Sequence, residues 1–537
     1  MLKKNDIIEL NITDTTNLGA GVGHIDGIAV LVQRAVKGDV AKVRIIKAEK
    51  TYYVGKIEEL LRPSEHRSSD KNGGCSVFGR CGGCVFRHVS HSYELELKRE
   101  HVASCMKKSG VDISVSPVVS NCRTEGYRNK IQYPIGGHGV GYYAQKSHTV
   151  ITCDGHCPQH DRAFDSIIDT VTSFISEFGI SHYDELTGKG LLRHLYLRCT
   201  SAEPKSVMVC LVINGDHLPK SDILVSRLTS DPQVSGIMLC HNKKNTNVIL
   251  DDKFTLLWGR EDIVDTLCGM KFKISPRSFY QVNHDVAELL YKKALELAEL
   301  QAGDKLVDLF CGTGTIGLYM KKNSSAARLV GVEIIEAAVE NARENARVND
   351  VDGAEFYCGD ANSPEISEAD VIVIDPPRKG CDKELIEKIC QIAPRRVVYI
   401  SCDPATLARD LAEFAKQGYR GETVTPFDLF PGTSHVESVV LLSRKDVYER
   451  IKFDVNVEDL QGRASSTATY SEIKAYILEK YGLNVSSLHI AQIKDKCGFE
   501  KRDNYNIGEG KSKELICPPE KEQAIMDAFK HFGMLQE

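Results

Sequence analysis

The chain lacks any uninterrupted apolar run near the ~20 residues that a membrane-spanning helix needs, lacks an excess of positive charge, and lacks any internal repeat. The first absence excludes a bilayer-crossing helix, and no membrane partner is expected. The opening residues, MLKKNDIIELNITD, turn strand-like and acidic too early for a secretory leader, so a cytoplasmic location is expected. The formal net charge of −6 argues against a generic polyanion binder, and a nucleic-acid surface would have to be a local patch. With 42% apolar and 26% charged residues in 537, the composition is that of a soluble protein of about three or four domains, expected to be a monomer.

Cysteine is not scarce: there are 18, scattered through a long α/β chain. A disulfide framework belongs to short secreted domains, so metal or catalytic roles are expected for the few that cluster. Cys75, Cys81 and Cys84 form C-x5-C-x2-C on a loop with Gly79, Gly82 and Gly83. Structural zinc sites usually pair two C-x2-C knuckles, and only one is present. Three clustered cysteines with a distant fourth suit a cubane iron–sulfur cluster better. The spacing leaves Cys105, Cys122, Cys153 and Cys157 open as the fourth, with Cys157 presented by the turn in DGHCPQH.

Residues 1–62 alternate short strand-like runs with glycine turns, the pattern of a small OB-type barrel. Lys42, Arg44, Lys47 and Lys50, with Tyr52 and Tyr53, supply charges and rings of the kind on which single strands stack. Residues 63–270 mix helical and strand patterns and carry the cysteine loop, with Arg123, Arg128 and Lys130 as further candidate RNA contacts. Residues 271–445 open on an amphipathic helix (Val286, Leu289, Leu290, Ala294, Leu297) and then alternate strands and helices as a parallel doubly wound sheet does. Residues 446–537 hold two expected helices, in SEIKAYILEKYGL and KEQAIMDAFKHFGML, set off by Gln461–Ser466 and carrying no legible chemistry. The expected fold is therefore multidomain α/β, with a barrel, a central α/β region, a Rossmann-like domain and a mainly helical extension.

Four motifs carry the chemistry. DLFCGTGTIGL (308–318) places Gly312, Gly314 and Gly317 between a strand and a helix, where backbone can approach a ligand. About twenty residues on, Glu333 ends a second strand, placed to accept ribose hydroxyls. This pair also fits a nicotinamide site, and Asp308–Cys311 tilts it towards S-adenosylmethionine. DPPR (375–378) stiffens a loop at the sheet's carboxyl edge, and SCDPATLARD (401–410) puts Cys402 at the lip of a strand. HVESVVLL places Glu437 at the start of the last strand, a candidate general base beside a thiolate. Together these suggest an enzyme holding a methyl donor beside a nucleophilic thiolate.

With SFYQVN, DLFCGTGTIGL, GVE, DPPRKG, SCDPATLARD and FPGTSHVESVVLL in order, the chain resembles the uracil-C5 RNA methyltransferases over residues 1–445, and most of all the bacterial 23S ribosomal RNA members with a TRAM barrel and an iron–sulfur cluster. The resemblance implies [4Fe-4S] ligands Cys75, Cys81, Cys84 and Cys157, cofactor contacts Gln281, Phe310, Glu333, Asp360 and Asp375 for S-adenosylmethionine, a nucleophile at Cys402 and a base at Glu437. Asp403 stands where the family commonly has asparagine, and the family varies at the position of Thr315. The implied substrate is 23S rRNA, with tRNA the alternative. In this reaction a thiolate adds to carbon 6 of uracil, carbon 5 takes the methyl group, and a base removes the carbon 5 proton so that the thiolate leaves. A lowered thiol pKa is expected, and the uridine must be unstacked. The competing readings are an amino-methyltransferase using DPPR, an RNA-binding protein with a non-catalytic methyltransferase fold, and a nicotinamide oxidoreductase.

Overall fold

The computed structural model describes residues 2–70, 74–152, 155–362, 366–444, 470–483, 485, 487–497 and 519–532. Cys153 and the Gln461–Ser466 break lie outside them. The chain forms two compact units, 1–450 and 451–537. No helix among the described residues is long and apolar enough to cross a membrane.

The N-terminal barrel is a six-stranded sheet whose longest strands are Val40–Ala48 and Tyr52–Arg62. One of its strands, Ala20–Ile25, carries two glycines, Gly21 and Gly23. A Cβ at Gly21 would come within 2.7 Å of Ala35 and Ile12, so glycine is used here for close packing of a strand rather than for a turn. Tyr53 lies in the barrel core. Lys42, Arg44 and Lys47 pair with Glu59, Glu58 and Glu49. The surface expected to stack and grip a single strand is thus largely self-paired, leaving Lys50 and Tyr52.

The central sheet runs Phe254–Gly259, Val234–His241, Val207–Ile213, Leu192–Cys199, Lys130–Gly136, Gly139–Val140, covered by helices Asp165–Phe178 and Ser221–Leu228. Its inner strands are buried on both faces, which explains the unbroken apolar run of Val207–Ile213, while Leu192–Cys199 buries Arg193, His194 and Arg198 among its apolar residues.

The third sheet positions the site. Five strands, Ala354–Cys358, Arg328–Glu333, Lys305–Leu309, Val371–Ile374 and Arg396–Ser401, run parallel in that order. The sheet then departs from the expected parallel pattern. Glu437–Arg444 pairs antiparallel with Arg396–Ser401, and Thr423–Phe427 pairs antiparallel with Glu437–Arg444. At the edge, Ser114–Val115 pairs with Thr423 and Val424, so this stretch and the helix His91–Lys108 leading to it pack with the third sheet rather than the central one. In the helix His284–Ala298, Val286, Leu290 and Ala294 are buried as their spacing requires, with Leu289 and Leu297 on the margin.

The second unit contains helices Tyr470–Tyr481, Ser487–Lys496 and Pro519–His531 around Ile473, Ile477, Ile490, Ile525 and Phe529.

Candidate active site

A cavity of about 630 Å³ runs along the carboxyl ends of the five parallel strands. It is lined by Gln281, Phe310, Glu333, Asp360, Asp375, Cys402 and Glu437, so all seven residues expected to hold the donor or do the chemistry meet in one place. The reason is topological, since in an open α/β sheet every parallel strand delivers the residue after its carboxyl end to the same edge.

The strand Lys305–Leu309 turns at Phe310, whose φ of 62° is left-handed, a conformation that costs a non-glycine residue energy and is retained where the site holds it. The helix that follows packs hard on the strand. Gly317 N–H donates to Asp308 Oδ2 at 2.9 Å, and a Cβ there would lie 2.6 Å from that oxygen. Burial pushes the Asp308 carboxyl up to about 8. At the neighbouring strand end, Glu333 accepts the Gly312 N–H (3.1 Å) and the Ile335 N–H (3.0 Å), which orients its carboxylate beside the cavity. Asp360 accepts the Asn362 N–H at 2.8 Å. Ile334 and Phe279 line the same cavity with 67% and 60% exposure, an apolar shelf left uncovered by the protein. A carboxylate for a ribose, an apolar shelf for a base and a glycine turn for close approach fit S-adenosylmethionine.

Cys402 and Glu437 are 35 positions apart in sequence and neighbours in space. Ser401 pairs with Ser438 across the antiparallel strands, so the next step of that register sets Cys402 against Glu437. Burial pushes Glu437 up to about 8, with Asp375 adding and Arg378 opposing. Burial likewise pushes Asp375 up to about 7. The Cys402 thiol is not lowered as the chemistry led us to expect. Burial first, then the charges of Glu437 and Asp375, push it up to about 11, and Arg378 pulls the other way. Two carboxylates are simply too close to a half-buried thiol.

The loop from Asp428 to Glu437 is tied down at several points. Lys98 Nζ donates to Asp428 Oδ1 (2.6 Å), Glu94 Oε1 (2.7 Å) and the Phe430 carbonyl (3.1 Å), and His91 Nε2 bonds Asp428 Oδ2 at 2.8 Å. Gly432 donates its N–H to Glu94, and its carbonyl accepts from Val85 and Phe86. Tyr127 and Gln159 both donate to the Pro431 carbonyl. None of this charge network was visible in the sequence, because its members come from segments more than three hundred residues apart.

A second cavity, of about 500 Å³, is lined by Cys75, Cys81, Cys84 and Cys157. The loop bearing the first three is docked by hydrogen bonds from Gly82 to Tyr143 and from Gln145 to Arg80. The Cys157 segment is docked by Gly126 N–H to Pro158 and Arg128 N–H to Gln159. Cys105 sits on the helix His91–Lys108 beside His101, and Cys122 is exposed; neither lines this cavity. Burial pushes the Cys84 thiol well up, and the charges of Cys157, Cys81 and Cys75 push it further, so four sulfurs crowd a site where they could ionise together only around a cation. The donor set therefore fits a metal centre.

One group escaped the sequence reading. The donor atoms of His156, His160 and Asp165 lie within 4.8 Å of one another. His160 already uses both ring nitrogens, on Asp165 and on the Tyr133 hydroxyl (2.8 Å each), and so braces the turn that carries Cys157. Of the cations singled out above, Arg123 is spent on Asp285 and on its own loop's carbonyls. Arg128 and Lys130 face the second cavity.

Comparison with known proteins agrees with this geometry. A model of the tRNA (uracil-5-)-methyltransferase family matches residues 365–445, a small methyltransferase-domain model matches 269–398, and a TRAM-domain model matches 2–57. An uncharacterized RNA methyltransferase of Clostridium tetani is 39% identical over 454 residues, covering 82% of this chain and 97% of the relative. One from Halalkalibacterium halodurans is 39% identical over 458 residues, covering 83% and 98%. Among solved structures, the Pyrococcus abyssi tRNA (uracil-54, C5)-methyltransferase with S-adenosyl-L-homocysteine superposes with a TM-score of 0.66 at 29% identity, over 81% of this chain and all of that one. The chain belongs to the RNA (uracil-5-)methyltransferase family, with an N-terminal TRAM domain and an S-adenosylmethionine-dependent methyltransferase domain.

Proposed function

We propose that the protein methylates carbon 5 of a uridine in 23S rRNA through a covalent bond between Cys402 and the pyrimidine, with Glu437 as the base. The observation that carries this is the cross-strand placement of Cys402 against Glu437 in the cavity that also holds Glu333 and Asp375. When bound there, S-adenosylmethionine supplies an electrophilic methyl group. Cys402 Sγ, once deprotonated, adds to carbon 6 of the ring and gives carbon 5 the electron density it lacks. After carbon 5 has gained its methyl group, Glu437 takes the proton from that carbon. The electron pair of the broken C–H bond re-forms the double bond and expels the Cys402 thiolate. A carboxylate raised to about 8 is well matched to that proton transfer near neutral pH. Gln281, Phe310, Glu333, Asp360 and Asp375 hold the donor.

Cys75, Cys81, Cys84 and Cys157 hold a [4Fe-4S] cluster in this reading. A single zinc ion would draw its thiolates to about 3.8 Å apart. Among the described residues, the sulfurs do not form such a group within 4.8 Å, whereas a cubane spreads its four ligands more widely. The ribosomal substrate follows from the resemblance to the members that combine the barrel with this cysteine set. The Pyrococcus abyssi structure, named for uridine 54 of tRNA, favours tRNA as the second reading. Mapping 5-methyluridine in both RNAs from a strain carrying Cys402→Ala decides between them. Loss of 5-methyluridine from 23S rRNA, at one site or more, is expected; loss in tRNA alone would transfer the substrate, and unchanged 5-methyluridine in both would refute the activity.

A further inference from the structure

The two cavities adjoin, sharing Arg378, Phe430 and His435 as a common wall. Their electrostatics are opposite. The catalytic cavity is lined by four carboxylates, Glu333, Asp360, Asp375 and Glu437, against two cations, Arg378 and Lys379. The second is lined by Arg87, Arg128, Lys130 and Arg378, and no carboxylate lines it. Of these cations, Arg87 has its own counter-charge in Glu125 at 2.6 Å and is the cation acting most strongly on Cys84. Arg87 therefore answers to the cysteines.

Arg128, Lys130 and Arg378 do not. Among the described residues none of the three forms an ion pair. Among the described residues the one side-chain hydrogen bond donated by the three runs from Arg128 Nε to the Lys130 carbonyl at 3.0 Å. Behind them, Arg198 is buried with its Nε and Nη2 unbonded. Lys130 shows the cost. Burial pulls its ammonium down to about 7, and Arg198 and Arg128 pull it further in the same direction. Arg128 and Lys130 are partly buried and Arg378 is exposed; partly buried cations that form no ion pair are expensive, and such a cost is offset when an anion arrives. The position of the group indicates which anion. A strand that feeds one nucleotide into the catalytic cavity must lay its adjoining backbone across the shared wall, over Arg378 and His435 and towards Arg128 and Lys130.

We infer that this wall is a second RNA subsite, in which Arg128, Lys130 and Arg378 grip the phosphodiester flanking the target uridine while Phe430 and His435 separate it from the reacting base. The inference rests on the proposed reading of the protein as an enzyme acting on RNA uridine. The grip orients the strand and reads no sequence.

The test uses the full-length holoenzyme and a nine-nucleotide single-stranded RNA with one central 5-fluorouridine. A parallel set of oligonucleotides carries a neutral methylphosphonate at each linkage in turn. In the wild type, neutralising a linkage next to the central nucleotide should weaken binding about tenfold, and neutralising distal linkages should not. In Lys130→Gln that penalty should vanish, and the slope of log Kd against log salt should fall by about 0.7, one single-strand phosphate contact. Iron and sulfide content, with the thermal midpoint, reports folding. The inference is overturned if Lys130→Gln keeps the wild-type slope and linkage penalty, or if the variant loses iron, since the cations would then serve the cysteine centre. Covalent adduct formation is scored separately. Binding with the linkage penalty but without adduct would defeat the proposed reaction and leave the phosphate subsite standing, whereas adduct without the penalty would do the reverse.

Discussion

The two adjoining cavities differ in sign, and the difference shows how the molecule can sort its reactants. The catalytic cavity holds four carboxylates and suits a ligand with a cationic sulfonium. Its neighbour holds four cations among sulfurs and suits a polyanion. The sorting has a chemical consequence. Burial pushes the Cys402 thiol up to about 11, and the same carboxylates that favour a cationic donor add to that push, so the nucleophile is held protonated while the site is unfilled. Arg378, on the shared wall, is the cation that opposes this for both Cys402 and Glu437.

Breaking the acidic side should give the largest effect. Glu437→Gln should slow turnover by roughly 10²–10⁴-fold while leaving Cys402 able to bond the ring, so a protein–RNA adduct should accumulate on unmodified uridine. Gel electrophoresis under denaturing conditions detects it, and a slow variant without adduct would remove Glu437 from the base role. Next in size is the tether between the two sides. Lys98→Met strands Glu94 and Asp428 in the interior, and breaking such a buried set should cost about 3–5 kcal/mol in urea unfolding. A loss below about 1 kcal/mol would mean that the network does not anchor the Asp428–Glu437 loop.

The pH profile sharpens the comparison further. A carboxyl raised to about 8 is mostly protonated at neutral pH and becomes a base as pH rises through that value. The raised thiol acts in the same direction, since both groups must lose a proton to work. Turnover at saturating RNA should therefore climb between about pH 6 and pH 9, and a profile that falls over this range would contradict the assignment. The smallest effect is expected on the sulfur side. Cys84→Ser should release iron and lower the thermal midpoint, but the purified variant should still form some 5-fluorouridine adduct, because no cysteine of that cavity lines the catalytic one. Complete loss of adduct in a folded variant would give the cysteine set a part in the chemistry.

What the sequence disclosed follows the same division. Residues that end parallel strands were legible, because a strand-then-glycine or strand-then-DPP pattern is local and the topology carries all of them to one edge. Cys402, Glu333 and Asp375 are of this kind. Non-local features were not legible. The strands Ala354–Cys358 and Thr423–Phe427 are not legible in the sequence, because neither is a clean apolar run, AEFYC and TVTPF being completed by their neighbours. The antiparallel turn of Glu437–Arg444, which sets Cys402 against Glu437, is a matter of register. The lowered thiol pKa was expected from the chemistry alone, and the opposite direction comes from the burial of Cys402 first and from Glu437 and Asp375 beside it second, neither of which is local in sequence. Likewise Lys130 was legible as a candidate RNA contact, but not its surroundings, Arg128 and Arg198 beside it in a cavity that no carboxylate lines.

The account turns on one sulfur. Wild-type enzyme trapped on 5-fluorouridine RNA, digested with protease and nuclease and weighed by mass spectrometry, should carry the modified nucleotide on the peptide containing Cys402. Nucleotide on a peptide containing Cys311, which lies in the turn after Lys305–Leu309 and donates its N–H to the Val332 carbonyl beside Glu333, or the absence of any RNA-bearing peptide, would contradict it.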